Sequence, residues 1–268
     1  MKEILCPTDF SETSENAIDY AARFAKRIGA SLRLIHFGLM SNLTPEEALV
    51  RADMSNAEAS SLLQRESSKV RAKYNIACDS VPVTSVSSVP KSLARLAEDF
   101  DYLIMGSNGE DDFFQRHFGS NTFRVIKKTG IPVIMIPDGC KYRDITQIAY
   151  AFDYWRITDV PMDEIISIAK DLQCSLKLVQ VMETYSQDAE EELRATEALL
   201  KEKYSKAVPV EFKILYDPNV THALREFMLK GDYDALALHF MEGTGARLHT
   251  RVIREMSRDT HYPIIALH

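Results

Sequence analysis

The chain repeats itself. Residues 28–37 read IGASLRLIHF and residues 172–181 read LQCSLKLVQV, in step over serine, leucine, a basic residue, leucine and an aliphatic residue. The same offset carries Asp9 onto Asp153 (153 − 9 = 144). Further on, FDYLIMG at 100–106 resembles YDALALH at 233–239, and IPVIMIP at 131–137 resembles YPIIALH at 262–268. The offset has shrunk to 131 by the end, so the second copy is 13 residues shorter (144 − 131). Periods of roughly 20–50 residues build solenoids, whereas a period this long builds separate domains. The break falls at Pro137-Asp138-Gly139-Cys140-Lys141, where proline and glycine interrupt the pattern. Two domains are expected, 1–139 and 144–268.

Within the first copy the elements alternate. Ile4–Cys6 reads as a strand. Residues 11–28 read as a helix with Ala17, Ala21, Phe24 and Ile28 on one face, Ser11 as N-cap and Gly29 as the stop. Then follow strand 32–37, a long polar helix 45–74, strand 77–83, helix 90–98 with Pro90 in its first turn, strand 102–105, helix 120–128 and strand 133–136. The second copy gives strands 148–151, 176–181, 210–215, 235–238 and 264–267, with helices 159–171, 187–204, 220–230 and 248–258 between them. Alternating strands and helices demand crossovers, and crossovers give parallel sheets covered on both faces. The fold class is therefore α/β: two tandem Rossmann-like domains, each a five-stranded parallel sheet in order 3-2-1-4-5.

Composition narrows the function. The 268 residues carry 32 Lys and Arg against 39 Asp and Glu, a net charge of −7, which offers no electrostatic footprint for nucleic acid or an anionic membrane. No apolar run is long enough to span a bilayer. Met1-Lys2-Glu3 leads straight into a strand without a secretion signal, so a cytoplasmic protein is expected. Cys6, Cys78, Cys140 and Cys174 are dispersed without metal-ligand spacing and read as buried, reduced thiols. His239, His249 and His261, with Glu242, lie in the second copy without an HxxxH or HExxH pattern, so no metal site is assigned.

In a doubly wound sheet, ligands sit beyond the strand carboxyl ends where strand order reverses, here between strands one and four. Pro7-Thr8-Asp9-Phe10-Ser11 follows strand one, and Met105-Gly106-Ser107-Asn108-Gly109 ends strand four. The latter opens GSNGEDDFFQRHFGSNT, with glycines at 106, 109 and 119 and then Ser120, spaced G-x2-G-x9-G-S. Glycines permit close backbone approach, and a helix start at Ser120 offers free N–H donors to phosphate oxygens. The same glycines would also serve simple tight turns. Asp9 can accept from a ribose hydroxyl or cap the first helix, and the two roles are compatible.

PTDFSE after the first strand, together with G-x2-G-x9-G-S before the last helix, resembles the ATP-binding branch of the universal stress protein family. The resemblance runs over both copies, strongly in the first. It implies adenosine-side contacts at Pro7, Thr8 and Asp9 and a backbone contact to adenine at Phe37. It implies ribose-side contacts at Met105 and Gly106, and triphosphate contacts at Gly109, Gly119, Ser120 and Asn121. Arg116 either approaches the phosphates or is an ordinary surface arginine. Glu110, Asp111 and Asp112 depart from what a triphosphate tolerates unless Mg²⁺ intervenes or they face water. The second copy keeps Asp153 but has His239 and Glu242 for Gly106 and Gly109, and Thr250-Arg251 for Gly119-Ser120. It is expected to hold no ATP in the family manner, and to pack on the first as an intrachain pseudo-dimer, with a homodimer as a further form. Trp155 either walls off the vestigial pocket or packs elsewhere.

The partner expected is an adenine nucleotide, and the role that of an ATP-binding regulatory module in the stress response. There is no GxxxxGK[ST] run, no HRD or DFG set and no GxSxG elbow, so no catalytic residue is assigned and at most weak ATP hydrolysis is expected. The alternatives are a slow ATPase or phosphoryl-transfer enzyme, and an interaction protein that binds no nucleotide.

Overall fold

The computed structural model describes residues 1–39, 45–85, 88–107, 124–152, 161–240, 251–253, 255–256 and 261–268, with backbone only at 39, 45–56, 85 and 189. The chain forms two compact units, Met1–Tyr142 and Arg143–His268.

In the first unit, β1 (Glu3–Pro7), α1 (Glu12–Ile28), β2 (Ser31–Leu39), α2 (Pro45–Tyr74), β3 (Cys78–Ser85), α3 (Val89–Ala97), β4 (Tyr102–Gly106) and β5 (Val133–Ile136) follow in order. The strands lie β3-β2-β1-β4-β5 and every pair is parallel. Residues 124–126 are helical; the start of the expected helix at 120 lies outside the described residues. β1 sits between β2 and β4, so both its edges are paired. Ile4, Leu5 and Cys6 are fully buried, which is why the strand is a continuous apolar run rather than an alternating one. β2 runs past its apolar stretch, because Gly38 and Leu39 still pair with Thr84 and Ser85 of β3.

The boundaries of α1 follow from its end residues. Ser11 is extended (φ −74°, ψ 163°) and its hydroxyl accepts from Ser14 N–H at 3.3 Å. Glu12 and Glu15 lie in the first turn, Lys26 and Arg27 in the last, each sign opposing the local end of the helix dipole. Gly29 ends it at φ 67° and donates its N–H to Ala25 O. Ala17, Ala21 and Phe24 are buried, and Phe24 meets the Tyr102 ring of β4 edge-on at 5.4 Å. A polar clamp fixes α1 to α2: Asp19 accepts from Lys73 Nζ at 2.8 Å, from Arg23 Nε at 2.8 Å and from the Tyr74 hydroxyl. Burial works to raise the Asp19 pKa, but these three donors outweigh it and hold the carboxyl down at about 2.

The second unit repeats the plan: β6 (Gln147–Ala151), α4 (Met162–Leu172), β7 (Ser175–Met182), α5 (Gln187–Tyr204), β8 (Val210–Tyr216), α6 (Val220–Lys230), β9 (Ala235–His239) and β10 (Ile264–Leu267). Its strands lie β10-β9-β6-β7-β8, again all parallel. Residues 251–253 and 255–256 are helical within the expected 248–258. None of the four cysteines is in a disulfide, and all are buried. Among the described residues, no helix is long and apolar enough to cross a membrane.

Candidate functional site

Strand order reverses between β1 and β4, and the turn leaving β1 is built by its own side chains. Thr8 N–H donates to Ile35 O at 2.8 Å, tying the turn to β2. Phe10 N–H donates to Thr8 Oγ1 at 3.0 Å, and Ser14 Oγ donates to Ser11 O at 2.9 Å. The Thr8 and Ser14 hydroxyls lie 2.9 Å apart. With the Ser14 proton committed to Ser11 O, Thr8 donates to Ser14, and the hydroxyls of Thr8, Ser11 and Ser14 are all satisfied. Asp9 Oδ1 accepts from Ser11 N–H at 3.1 Å and from Ser11 Oγ at 2.6 Å. The same Ser11 hydroxyl caps α1, so the helix cap and the carboxylate anchor are one device. Asp9 is half-buried, and its Oδ2 takes no partner among the described residues.

Two residues to which the sequence reading assigns no role complete the turn. Phe10 is left-handed at φ 66°, which costs an L-residue about 1–2 kcal/mol. Its ring stacks on His36 of β2, centroids 4.6 Å apart, which offsets that strain. His36 Nδ1 lies 2.8 Å from Thr8 O. A carbonyl oxygen only accepts, so Nδ1 carries the proton and the imidazole is locked in one tautomer. The left-handed phenylalanine has no signature in sequence. The histidine does: it is the one polar side chain in the LRLIHF run that ends β2 beyond Arg33.

Across the crevice, β4 ends at Gly106. A Cβ there would lie 2.9 Å from Thr13 Cγ2 in the first turn of α1, so this glycine is demanded by close packing. The left-handed glycines among the described residues are Gly29 and Gly139; Gly106 is not one of them. Positive φ is therefore not the reason for Gly106. Next to it, Ser107 N–H donates to Ile136 O at 2.9 Å, while its buried hydroxyl has no partner among the described residues.

The structure thus brings Pro7, Thr8, Asp9 and Gly106 to one end of the sheet around the β1–β4 reversal, joined by Phe10, Thr13, His36 and Ser107. Met105 is 1% exposed and Phe37 7% exposed, so both side chains belong to the core and only their backbones are near the crevice. Gly109, Arg116, Gly119, Ser120 and Asn121, with the acidic run Glu110–Asp112, lie outside the described residues, as do Asp153, Trp155, Glu242, His249 and Thr250.

A family model described as the universal stress protein family matches residues 1–137, just over half of the 268. The chain belongs to the universal stress protein family. Universal stress protein Slr1230 of Synechocystis is 27% identical over 176 residues, which span 57% of this chain and 60% of that protein's length. Universal stress protein MJ0577 of Methanocaldococcus jannaschii is 28% identical over 153 residues, 50% of this chain and 94% of its own. A solved universal stress protein from Archaeoglobus fulgidus superposes with a TM-score of 0.71 at 17% identity, covering 99% of this chain and 95% of its own. At that identity the likeness speaks for the fold alone, and it extends the α/β plan over both units.

Proposed function

We propose that this universal stress protein binds ATP in its first unit and serves as a nucleotide-responsive regulatory module in the stress response. One observation carries the reading: Asp9 is anchored through Oδ1 while Oδ2 has no partner among the described residues at the strand-order reversal. A half-buried carboxylate held in this way is pre-oriented to accept from the hydroxyls of a ribose. The hydroxyl of Ser107, without a partner among the described residues, stands at the end of β4 as a further donor, and Gly106 leaves no side chain over the strand end. These features fit the sugar side of an adenine nucleotide. Gly109, Gly119, Ser120 and Asn121 are proposed for the triphosphate, from sequence, with Arg116 beside them and Mg²⁺ between the phosphates and the acidic run. The domain boundaries 1–139 and 144–268 stand as part of the same proposal.

Calorimetric titration of the full chain with ATP and Mg²⁺, run alongside a phosphate-release assay, tests the reading. Saturable binding without turnover is the expected result. Turnover lost on Gly119→Val would make the protein an ATPase instead. No binding of ATP, ADP or AMP at millimolar concentration would leave an interaction protein and overturn the proposal.

A further inference from the structure

Each unit has one outermost strand that pairs on a single side among the described residues, β3 in the first and β8 in the second, and the two edges differ. Leu32 N–H donates to Ala77 O at 2.9 Å. Residues of a parallel strand turn their backbone groups alternately toward and away from the neighbour, so Cys78, Ser80, Pro82 and Thr84 turn theirs outward. Proline has no N–H, and at 82 the missing donor falls on the outer side; Arg71 Nη1 covers the outward Cys78 O at 2.6 Å. The edge of β3 is thus blunted. In the second unit Leu176 N–H donates to Pro209 O and Asp217 N–H to Met182 O, both at 2.9 Å, so Val210, Phe212, Ile214 and Tyr216 turn outward. His36 pairs with Pro82, and Gln180, 144 residues on, pairs with Ile214. The register that carries the blunting proline in one unit carries an N–H donor in the other.

The charges on β8 choose its partner. Glu211 and Lys213 are exposed and project from the face opposite Phe212, over whose ring Lys201 of α5 stands. Two copies of one edge, related by a twofold axis in a continuous sheet, pair antiparallel. An axis at Glu211 would set carboxylate against carboxylate, and one at Lys213 ammonium against ammonium. An axis at Phe212 sets Glu211 of each copy against Lys213 of the other, at the closely spaced positions between bonded pairs. Val210, Phe212 and Ile214 then exchange about six backbone hydrogen bonds. Lys177 of β7, already bonded to Glu211, extends the match into a row of alternating sign. We infer that the outer edge of β8 is a homodimerisation surface, on which a second copy of this chain pairs antiparallel about Phe212 and continues the sheet. This surface and the site proposed for ATP do not depend on each other.

Sedimentation velocity of the full chain between about 1 and about 300 µM, the range of a small transient interface, is expected to show a reversible monomer–dimer equilibrium. Ile214→Pro removes the outward N–H, as Pro82 does in the first unit, and is expected to weaken the dimer by about tenfold or more; Ile214→Val keeps the donor and the dimer. Circular dichroism and thermal melts check that each variant folds. Lys213→Glu and Glu211→Lys are each expected to weaken self-association by about tenfold or more, because like charges then face each other twice across the axis. An equimolar mixture of these two charge variants restores both opposite pairs and is expected to recover the dimer as a heterodimer. That recovery reads the register itself and stands without the proline variant. A chain that stays monomeric throughout, a dimer undisturbed by Ile214→Pro or by either charge reversal, or charge variants that stay monomeric when mixed would each overturn the inference.

Discussion

At the scale of single residues, the site is made by groups that do two jobs. Asp9→Asn separates them. The amide oxygen still accepts from Ser11, so the turn and the cap survive, but the oxygen left without a partner becomes an NH₂ donor. ATP affinity is expected to fall roughly ten- to hundredfold, the worth of a hydrogen bond to a charged acceptor, with the melting temperature little changed. Gly106→Ala probes space rather than contact. Its methyl meets Thr13 Cγ2 at 2.9 Å, so about 1–3 kcal/mol of stability should be lost. Most of that should return in Gly106→Ala with Thr13→Ser, which removes the opposing methyl; additive losses in a double-mutant cycle of urea melts would show the clash to lie elsewhere. In the second unit, burial pushes the Glu164 carboxyl up to about 7, against the lowering effect of the His268 N–H that it accepts at 3.2 Å. Burial, and then the neighbouring His239, push His268 down to about 4. A carboxylate pKa raised on folding means the folded state holds the proton longer, so stability is lost as pH rises from about 4.5 to 7. Glu164→Gln should therefore leave stability unchanged at pH 4 and raise it by about 2 kcal/mol at pH 8 in urea titrations. The Ser11 helix cap was legible because short-range turn chemistry is written in adjacent residues. The need for glycine at 106 was not, because Thr13 lies far away in the chain.

At the scale of elements, the helix ends decide where the chain turns. Gly29 and Gln173 occupy equivalent positions, 144 apart, and both are left-handed, at φ 67° and φ 52°. Glycine takes this conformation freely and glutamine does not. Gln173 is exposed and its backbone N–H is still bonded to Ala169 O, so nothing but strain distinguishes the two. Gln173→Gly is expected to raise stability by about 0.5–1 kcal/mol and Gly29→Gln to lower it by a similar amount, measured by chemical denaturation. The clamp between the first two helices of each unit also repeats. Tyr204 donates to Asp163 at 2.7 Å in α4, as Tyr74 donates to Asp19 in α1. Helix 120–128 and helix 248–258 are expected from their patterns; residues 124–126 of the first and 251–253 and 255–256 of the second are helical.

At the scale of the whole molecule, the repeat first seen in letters recurs as hydrogen bonds. Thr8 N–H to Ile35 O becomes Phe152 N–H to Val179 O, and Ser31 N–H to Lys2 O becomes Ser175 N–H to Thr146 O, each moved by 144. Ser107 N–H to Ile136 O becomes Phe240 N–H to Leu267 O. The backbone frame is thus kept, while the side chains at the strand ends have changed from Thr8 and Gly106 to Phe152 and His239. Frame without matching chemistry predicts one ATP per chain, not two. Native mass spectrometry across an ATP titration should show a single adduct; a second adduct of equal affinity would mean that the second unit has kept the nucleotide chemistry.

Period, propensity and capping are properties of neighbours along the chain, and from these alone the sequence determined the α/β plan, the strand order of both units and most element ends. PTDFSE after the first strand and the G-x2-G-x9-G-S spacing together pointed to the family. What only the tertiary structure decided depends on residues brought together from afar. Phe10 stacks on His36, Thr13 forbids a side chain at 106, and Glu164 accepts the backbone N–H of His268. No local pattern sums such contributions; they exist only once the sheet has closed around them.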